Sequence, residues 1–220
     1  MSELAPPRLH ALGDAALLCE LPAPAQLAVQ QRIWALAAEA VRWPGVGEAL
    51  PGMNNLTLMF DPSLADAEAL GARVLALWPK LKVGTIAGRE VQIPVAYGGD
   101  EGPDLGDVAA HTGLSPEEVV RRHCAGEYVV YLLGFLPGFA FMGGLAPELA
   151  APRRAEPRTT VPARSVGIGG EQTGIYPVAS PGGWNLIGRT SLEMFDPSAA
   201  EPTLLRHGDR VRFVAESVHT

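Results

Sequence analysis

"GIGGEQTGIYPVASPGGWNLIGRT", residues 167–190, decides how the second half of this 220-residue chain is read. Its glycines invite a phosphate-binding loop. "GIGGEQTG", however, lacks the lysine that closes GxxxxGK[ST], and it does not lead from a strand into a long helix as a GxGxxG dinucleotide site requires. The flanking runs "IYPV" and "WNLIGRT" are β-like. The stretch therefore reads as strands joined by tight turns, with Gly182 and Gly183 permitting the backbone path and Trp184 anchoring it.

Working outward, the same grammar holds from "REVQIPVAYGGDEGPDL" (89–105) onward. Short β-prone runs are separated by Gly and Pro at close intervals, the pattern of a sheet-rich barrel or sandwich with long loops. One helix interrupts it. In "SPEEVVRRHCA", Ser115 is placed as the N-cap, Pro116 as the first helical residue and Glu118 as the third member of a capping box. His123 falls about two turns into that helix, either as a satisfied surface or core histidine or as a catalytic one.

Two further stretches carry chemistry. "YLLGFLPGFAFMGGL" (131–145) interleaves Phe135, Phe139, Phe141 and Met142 with glycines, as a packed core loop or as the wall of a small-molecule pocket. "PRRAEPRTTVPARSVGIGG" (152–170) sets Arg153, Arg154, Arg158 and Arg164 against the single acid Glu156. These are either solvated loop charges or proline-stiffened guanidinium forks able to hold carboxylate or phosphate bidentately.

The first half alternates strands and helices. "AALLCEL" (15–21) and "NNLTLMFDP" (54–62) have strand length and spacing, the second with Leu56, Leu58 and Phe60 on one side. Val29, Ile33, Leu36 and Ala40 line one face of a helix ended by "WPGVG"; Leu70, Val74, Leu77 and Leu81 stripe a second, interrupted by "WPK". The acids of "DPSLADAEAL" read as helix-start and solvated charges. A boundary near "VGTIAGRE" (83–90) divides an α+β N-terminal domain, residues 1–86, from the mainly β domain, residues 87–220.

Composition narrows the function classes. Seventeen Lys and Arg against 24 Asp and Glu give a net charge of −7, so neither nucleic acid nor anionic membrane is an expected partner and any anion site is local. No basic leader precedes an apolar run and no span of about 18 apolar residues occurs, so a cytoplasmic protein is expected. Cys19 and Cys124 lack metal-ligand spacing and read as reduced thiols, so no metal site is expected in this chain. No GxSxG, HExxH or Ser/His/Asp arrangement is present.

The order of "IPVAYGGDEGPDL", "GLSPEEVVRRH", "VYLLGFLPGFAFMGGL", the arginine-to-"EMFDP" stretch and "LLRHGDRVRF" closely resembles the bacterial KipI family, also known as the B subunits of 5-oxoprolinase and formerly as allophanate hydrolase subunit 1. The match runs from about residue 90 to residue 214, and more loosely through "LGDAALLCEL" and "LMFDP". The resemblance implies a cyclophilin-like β-barrel after the α+β domain. It implies two partners: the KipA-like C component of 5-oxoprolinase and its LamB/YcsF-type A component. The activity implied is an ATP-dependent 5-oxoprolinase opening the lactam of pyroglutamate to glutamate, with ATP and Mg²⁺ as the cofactors of the complex and no organic cofactor or metal bound in this chain.

Carried onto this chain, the resemblance implies catalytic roles for His123, Arg153, Arg158, Gln172, Tyr176 and Arg189. It implies substrate contacts from Tyr131, Phe135, Pro137, Gly138, Phe139, Thr173, Pro181, Gly182, Gly183 and Trp184. The three arginines are expected to neutralise a carboxylate or phosphoryl group, Gln172 and Tyr176 to hydrogen-bond the lactam, and His123 to carry a proton. One departure is visible: the family commonly has proline and tyrosine where this chain has Ala140 and Phe141, which removes a hydroxyl. The alternative reading is a regulatory protein that docks on a sensor histidine kinase and inhibits its autophosphorylation. An isomerase role suggested by the barrel rests on fold analogy alone.

Overall fold

A computed structural model of the chain describes residues 5–22, 25–81 and 88–219. The chain divides into two compact units, residues 1–86 and 87–220. The boundary stretch at 82–87 lies outside the described residues.

The first unit is an antiparallel four-stranded sheet with two helices. Its elements are β1 (Arg8–Leu12), β2 (Ala16–Glu20), α1 (Leu27–Ala40), β3 (Val46–Gly52), β4 (Asn55–Phe60) and α2 (Ala67–Leu77), in sheet order β1-β2-β4-β3. The core forms where the expected stripes meet: Leu56, Leu58 and Phe60 from β4 and Leu17 and Cys19 from β2 pack with Ile33, Leu36 and Ala40 of α1 and Leu70 and Val74 of α2. Leu81 joins this core from beyond the helix, because α2 gives way to a 3-10 turn at Trp78–Lys80. Asp66 caps α2 by accepting from the Ala69 amide at 2.8 Å. The edge strands β1 and β3 escape the sequence reading because most of their residues are exposed or half-buried and show no buried alternation.

The second unit is built from β5 (Glu90–Gly98), α3 (Leu105–Thr112), α4 (Pro116–Ala125), β6 (Tyr128–Leu133), β7 (Ala140–Gly143), β8 (Arg158–Val161), β9 (Ser165–Gly169), β10 (Gln172–Ile175), β11 (Ser180–Gly182), β12 (Asn185–Thr190) and β13 (Arg210–His219). Seven strands close a barrel in the order β10-β7-β6-β13-β5-β12-β9, and β8 and β11 form a separate ribbon. Among the described residues of the barrel only the β13–β5 pairing is parallel. The expected α+β unit followed by a mainly β barrel is thus what the chain forms. Alternation sorts the side chains. Ile93, Val95, Val130, Met142, Val166, Ile168, Ile175 and Val211 fill the barrel, while Phe139, Tyr176, Trp184, Leu186 and Val161 make a second, smaller cluster.

The glycines of residues 167–174 serve that second cluster. Gly167 pairs directly with Gly174 across β9 and β10. A Cβ at Gly169 would lie 2.5 Å from the Trp184 ring, and one at Gly174 would meet Trp184 and Phe139 at 3.0 and 3.2 Å. Bare backbone here is a floor on which the indole lies, since any side chain would lift it off.

α4 starts as expected, with Ser115 accepting from the Glu118 amide at 3.2 Å and Pro116 in the first turn. The reciprocal half of the box differs: the Glu118 carboxylate accepts instead from Arg121 and Arg122. α3 is only two turns long, too short for a clear apolar stripe, and its left-handed Gly113 C-cap is the one local signal of it.

Candidate functional site

A pocket of about 390 Å³ opens on the second cluster, lined by Phe135, Phe139, Phe141, Arg153, Arg154, Pro157, Tyr176, Pro181, Gly182, Gly183 and Trp184. Its rear wall is aromatic. Phe139 stands edge-on to Tyr176 and Trp184 with ring centroids 5.2 and 5.5 Å away, and Phe141 lies 4.7 Å from Phe139. "GFLPGF" folds to aim these rings: Leu136 N donates to Gly134 O at 2.8 Å around Phe135 at φ 69, and Phe139 N donates to Leu136 O around Gly138 at φ 83. The second turn has the Pro-Gly signature of type II; the first is a three-residue turn of the strained, positive-φ kind, held by its neighbours. Phe135 consequently stands 62% exposed at the pocket mouth.

The positive wall is organised from behind by Asp104, a buried carboxylate. Arg158 donates to it bidentately, both contacts at 2.8 Å; Arg154 Nη1 donates at 2.9 Å and the Leu186 amide at 2.7 Å. These donors offset the desolvation of a buried charge. Sequence reasoning misses Asp104, for nothing in the local pattern of "GPDL" reveals a partner 50 residues away. Arg154 Nε is buried without a hydrogen-bond partner. Arg153 is exposed and makes no hydrogen bond or ion pair among the described residues. Burial raises the Tyr176 phenol above its ordinary pKa, opposed by the Trp184 amide and by the Arg153 and Arg158 charges, so the hydroxyl is a neutral donor at physiological pH.

The structure brings together Phe135, Phe139, Arg153, Tyr176, Pro181, Gly182, Gly183 and Trp184 on this lining, with Gly138 in the supporting turn. It corrects several other assignments. Arg158 is a strut whose guanidinium is taken by Asp104, and Arg154 lines the pocket in its place. Arg189 is off the lining, donating to the Ala163 carbonyl at 3.0 Å and to Glu101 at 3.3 Å. Gln172 is half-buried on β10, Pro137 exposed at the loop tip and Tyr131 buried against Gly143; none of the three lines the pocket.

His123 and Thr173 lie in the barrel core instead. His123 is fully buried, its ring 4.4 Å from that of Phe213. Thr173 Oγ1 donates to the Gly167 carbonyl at 3.1 Å, so it accepts from His123 Nε2 at 2.9 Å; His123 Nδ1 then accepts from the Tyr97 hydroxyl at 2.8 Å, and Cys124 donates to Tyr97 at 3.6 Å. Every polar atom of the imidazole is satisfied in its neutral form, and burial pushes its pKa down to about 3. A histidine so held does not carry protons near pH 7. His123 is a core histidine, and its partners tie α4 and β5 to β10.

Among the described residues no group of three His, Cys, Asp or Glu side chains is placed to hold a metal ion, and no helix is long and apolar enough to cross a membrane.

Residues 7–205 match the family described as "Carboxyltransferase domain, subdomain C and D". The 5-oxoprolinase B subunit of Escherichia coli O157:H7 is 52% identical over 95% of this chain and 96% of its own. That of Bacillus subtilis (strain 168) is 42% identical over 94% of this chain and 92% of its own. The solved structure of Kluyveromyces lactis urea carboxylase has a TM-score of 0.78 at 23% identity, covering 98% of this chain and 22% of that one, a likeness of fold alone.

Proposed function

This chain belongs to the family of 5-oxoprolinase B subunits, and on that premise we propose that it works as the B subunit of an ATP-dependent hydrolase that opens the lactam of 5-oxo-L-proline to L-glutamate. The observation that supports this reading is identity of 42% or more with 5-oxoprolinase B subunits over nearly the whole length of both partners. The proposed partners are a KipA-like C component and a LamB/YcsF-type A component, in the cytoplasm. No feature of the fold favours the kinase-inhibitor reading over it.

A lactam carbonyl is a weak electrophile at neutral pH. Phosphorylation of its oxygen creates a leaving group before water completes ring opening, which is the chemistry that ATP supplies to the complex. The pocket of this chain does not fit magnesium-ATP. Hard cations take oxygen ligands, and among the described residues this lining offers guanidinium groups, aromatic rings, backbone and one phenol, with no carboxylate. No step through ATP is therefore assigned to these residues. What they are suited to do is bind and orient a small anion on an apolar, water-poor surface.

The test is to co-express the chain with the C and A components and measure ATP hydrolysis with and without 5-oxo-L-proline. Hydrolysis that depends on both 5-oxo-L-proline and this chain is expected. A complete complex that hydrolyses ATP at the same rate without 5-oxo-L-proline, and releases no glutamate when it is present, overturns the reading.

A further inference from the structure

The geometry assigns the aromatic pocket of the barrel to the carboxylate-bearing lactam itself, with Arg153 as the ligand of the carboxylate and Arg154 and Arg158 as its positioning frame; the assignment rests on the functional reading above. Three guanidinium groups lie within six residues at the start of β8 and the loop before it, and they are not equivalent. Both terminal nitrogens of Arg158 are fixed on Asp104, and Arg154 gives Nη1 to the same carboxylate. Arg153 alone of the three has no protein acceptor among the described residues, while lining the pocket beside Tyr176.

Asp104 thus holds two guanidinium groups as the back of a positive wall and leaves the third for a ligand. A buried Arg154 Nε without an acceptor lies in the same wall, a donor that an anion in the pocket would satisfy. Among the described residues no carboxylate lines the pocket to compete with that anion.

The remaining surface selects the rest of the ligand. Phe139, Phe141 and Trp184 present apolar ring faces and edges, which suit a small flat ring rather than an extended polar chain. Tyr176 is the side-chain hydroxyl on this lining, neutral and able to donate to a carbonyl oxygen. A five-membered lactam carries these features together: a flat apolar ring, one carbonyl acceptor and one carboxylate. Phe141, which has no hydroxyl, adds to the apolar part of the wall. Phe135, exposed on its strained turn, is placed to cover the ring once bound.

The experiment compares 5-oxo-L-proline with its carboxamide, which keeps the lactam and loses the negative charge. In the assembled complex, Arg153→Ala is expected to raise KM for 5-oxo-L-proline by about 10- to 100-fold, the loss of a charge-assisted hydrogen bond. KM for ATP and for the carboxamide should stay unchanged, and Arg153→Lys should recover part of the loss. Calorimetric titration of the full chain alone with the two compounds reads the pocket without turnover, with the same discrimination expected.

An Arg153→Ala variant with unchanged KM and unchanged binding for 5-oxo-L-proline overturns the assignment, as does an equal penalty for acid and carboxamide. In either case a wild-type complex that still turns over 5-oxo-L-proline leaves the functional reading standing. A wild-type complex without such turnover refutes that reading, and the binding titration still decides the pocket.

Discussion

Replacing His123 by glutamine removes one titrating group from the middle of the barrel, and the consequence is readable as the pH dependence of stability. Glutamine keeps a donor and an acceptor for Thr173 and Tyr97 but does not ionise. In the wild-type chain burial lowers the imidazole pKa from 6.5 to about 3. The groups facing it are the Tyr97 hydroxyl, the Thr173 hydroxyl, the Cys124 thiol through Tyr97, and the Tyr128 and Phe213 rings. Both tyrosines are pushed further from ionisation by burial, so none of these supplies a compensating negative charge.

The sign follows from proton counts. Below pH 6.5 the unfolded chain protonates this histidine and the folded chain does not, so its contribution is complete above 6.5 and falls as pH drops toward 3. The slope is about 1.4 kcal/mol per pH unit, or roughly 2 kcal/mol between pH 6.5 and 5, a window above the range in which carboxylates titrate. The assay is denaturant unfolding of wild type and His123→Gln from pH 5 to 8, followed by Trp184 fluorescence with Trp34, Trp43 and Trp78 replaced by phenylalanine in both. The other four histidines are common to both proteins and cancel in the difference. The two stability curves should run parallel above about pH 7 and converge by roughly 2 kcal/mol toward pH 5. Curves parallel throughout, or an imidazole NMR titration of His123 near pH 6.5, would refute the buried neutral assignment.

Other substitutions separate framework from binding. Arg158→Met should destabilise the chain by about 2–4 kcal/mol, because Asp104 stays buried with two of its three guanidinium contacts gone, whereas Arg153→Met should change stability by less than about 0.5 kcal/mol; thermal melts of both test the division. Gly182→Ala would place a Cβ 2.4 Å from the Tyr176 hydroxyl, and displacing that phenol should cost about 1–3 kcal/mol in stability and raise KM for 5-oxo-L-proline in the complex. Ser115→Ala removes the cap of α4 and should cost about 1 kcal/mol by chemical denaturation with no change in KM.

The elements legible in the sequence were those whose signal is local. The buried faces of α1, α2 and β4 and the Ser115–Pro116 start of α4 each follow from spacing or from backbone preference within a few residues. The edge strands β1 and β3 gave no such signal, since an edge paired on one side and wet on the other needs no apolar alternation. For the site, the residues left the aromatic loop open between packed core and pocket wall, the Pro181–Trp184 turn read as a strand connection that only the family resemblance linked to a substrate, and the arginines were legible only as a group.

Local pattern in the chain carries the α+β then β order, the family resemblance, and the absence of either nucleotide fingerprint in residues 167–190. The use of each polar side chain, by contrast, is set by contacts distant in sequence. Arg153, Arg154 and Arg158 are the same residue type within six residues of chain, and Asp104, 50 residues before Arg154, assigns two of them to the framework. His123 was a proton carrier by residue type, and full burial between Tyr97 and Thr173 made it a neutral core group. The physical reason is common to both cases. Side-chain type fixes which charges and donors a residue has available, but burial and distant partners fix which of them are satisfied, and those arise only when the chain closes on itself.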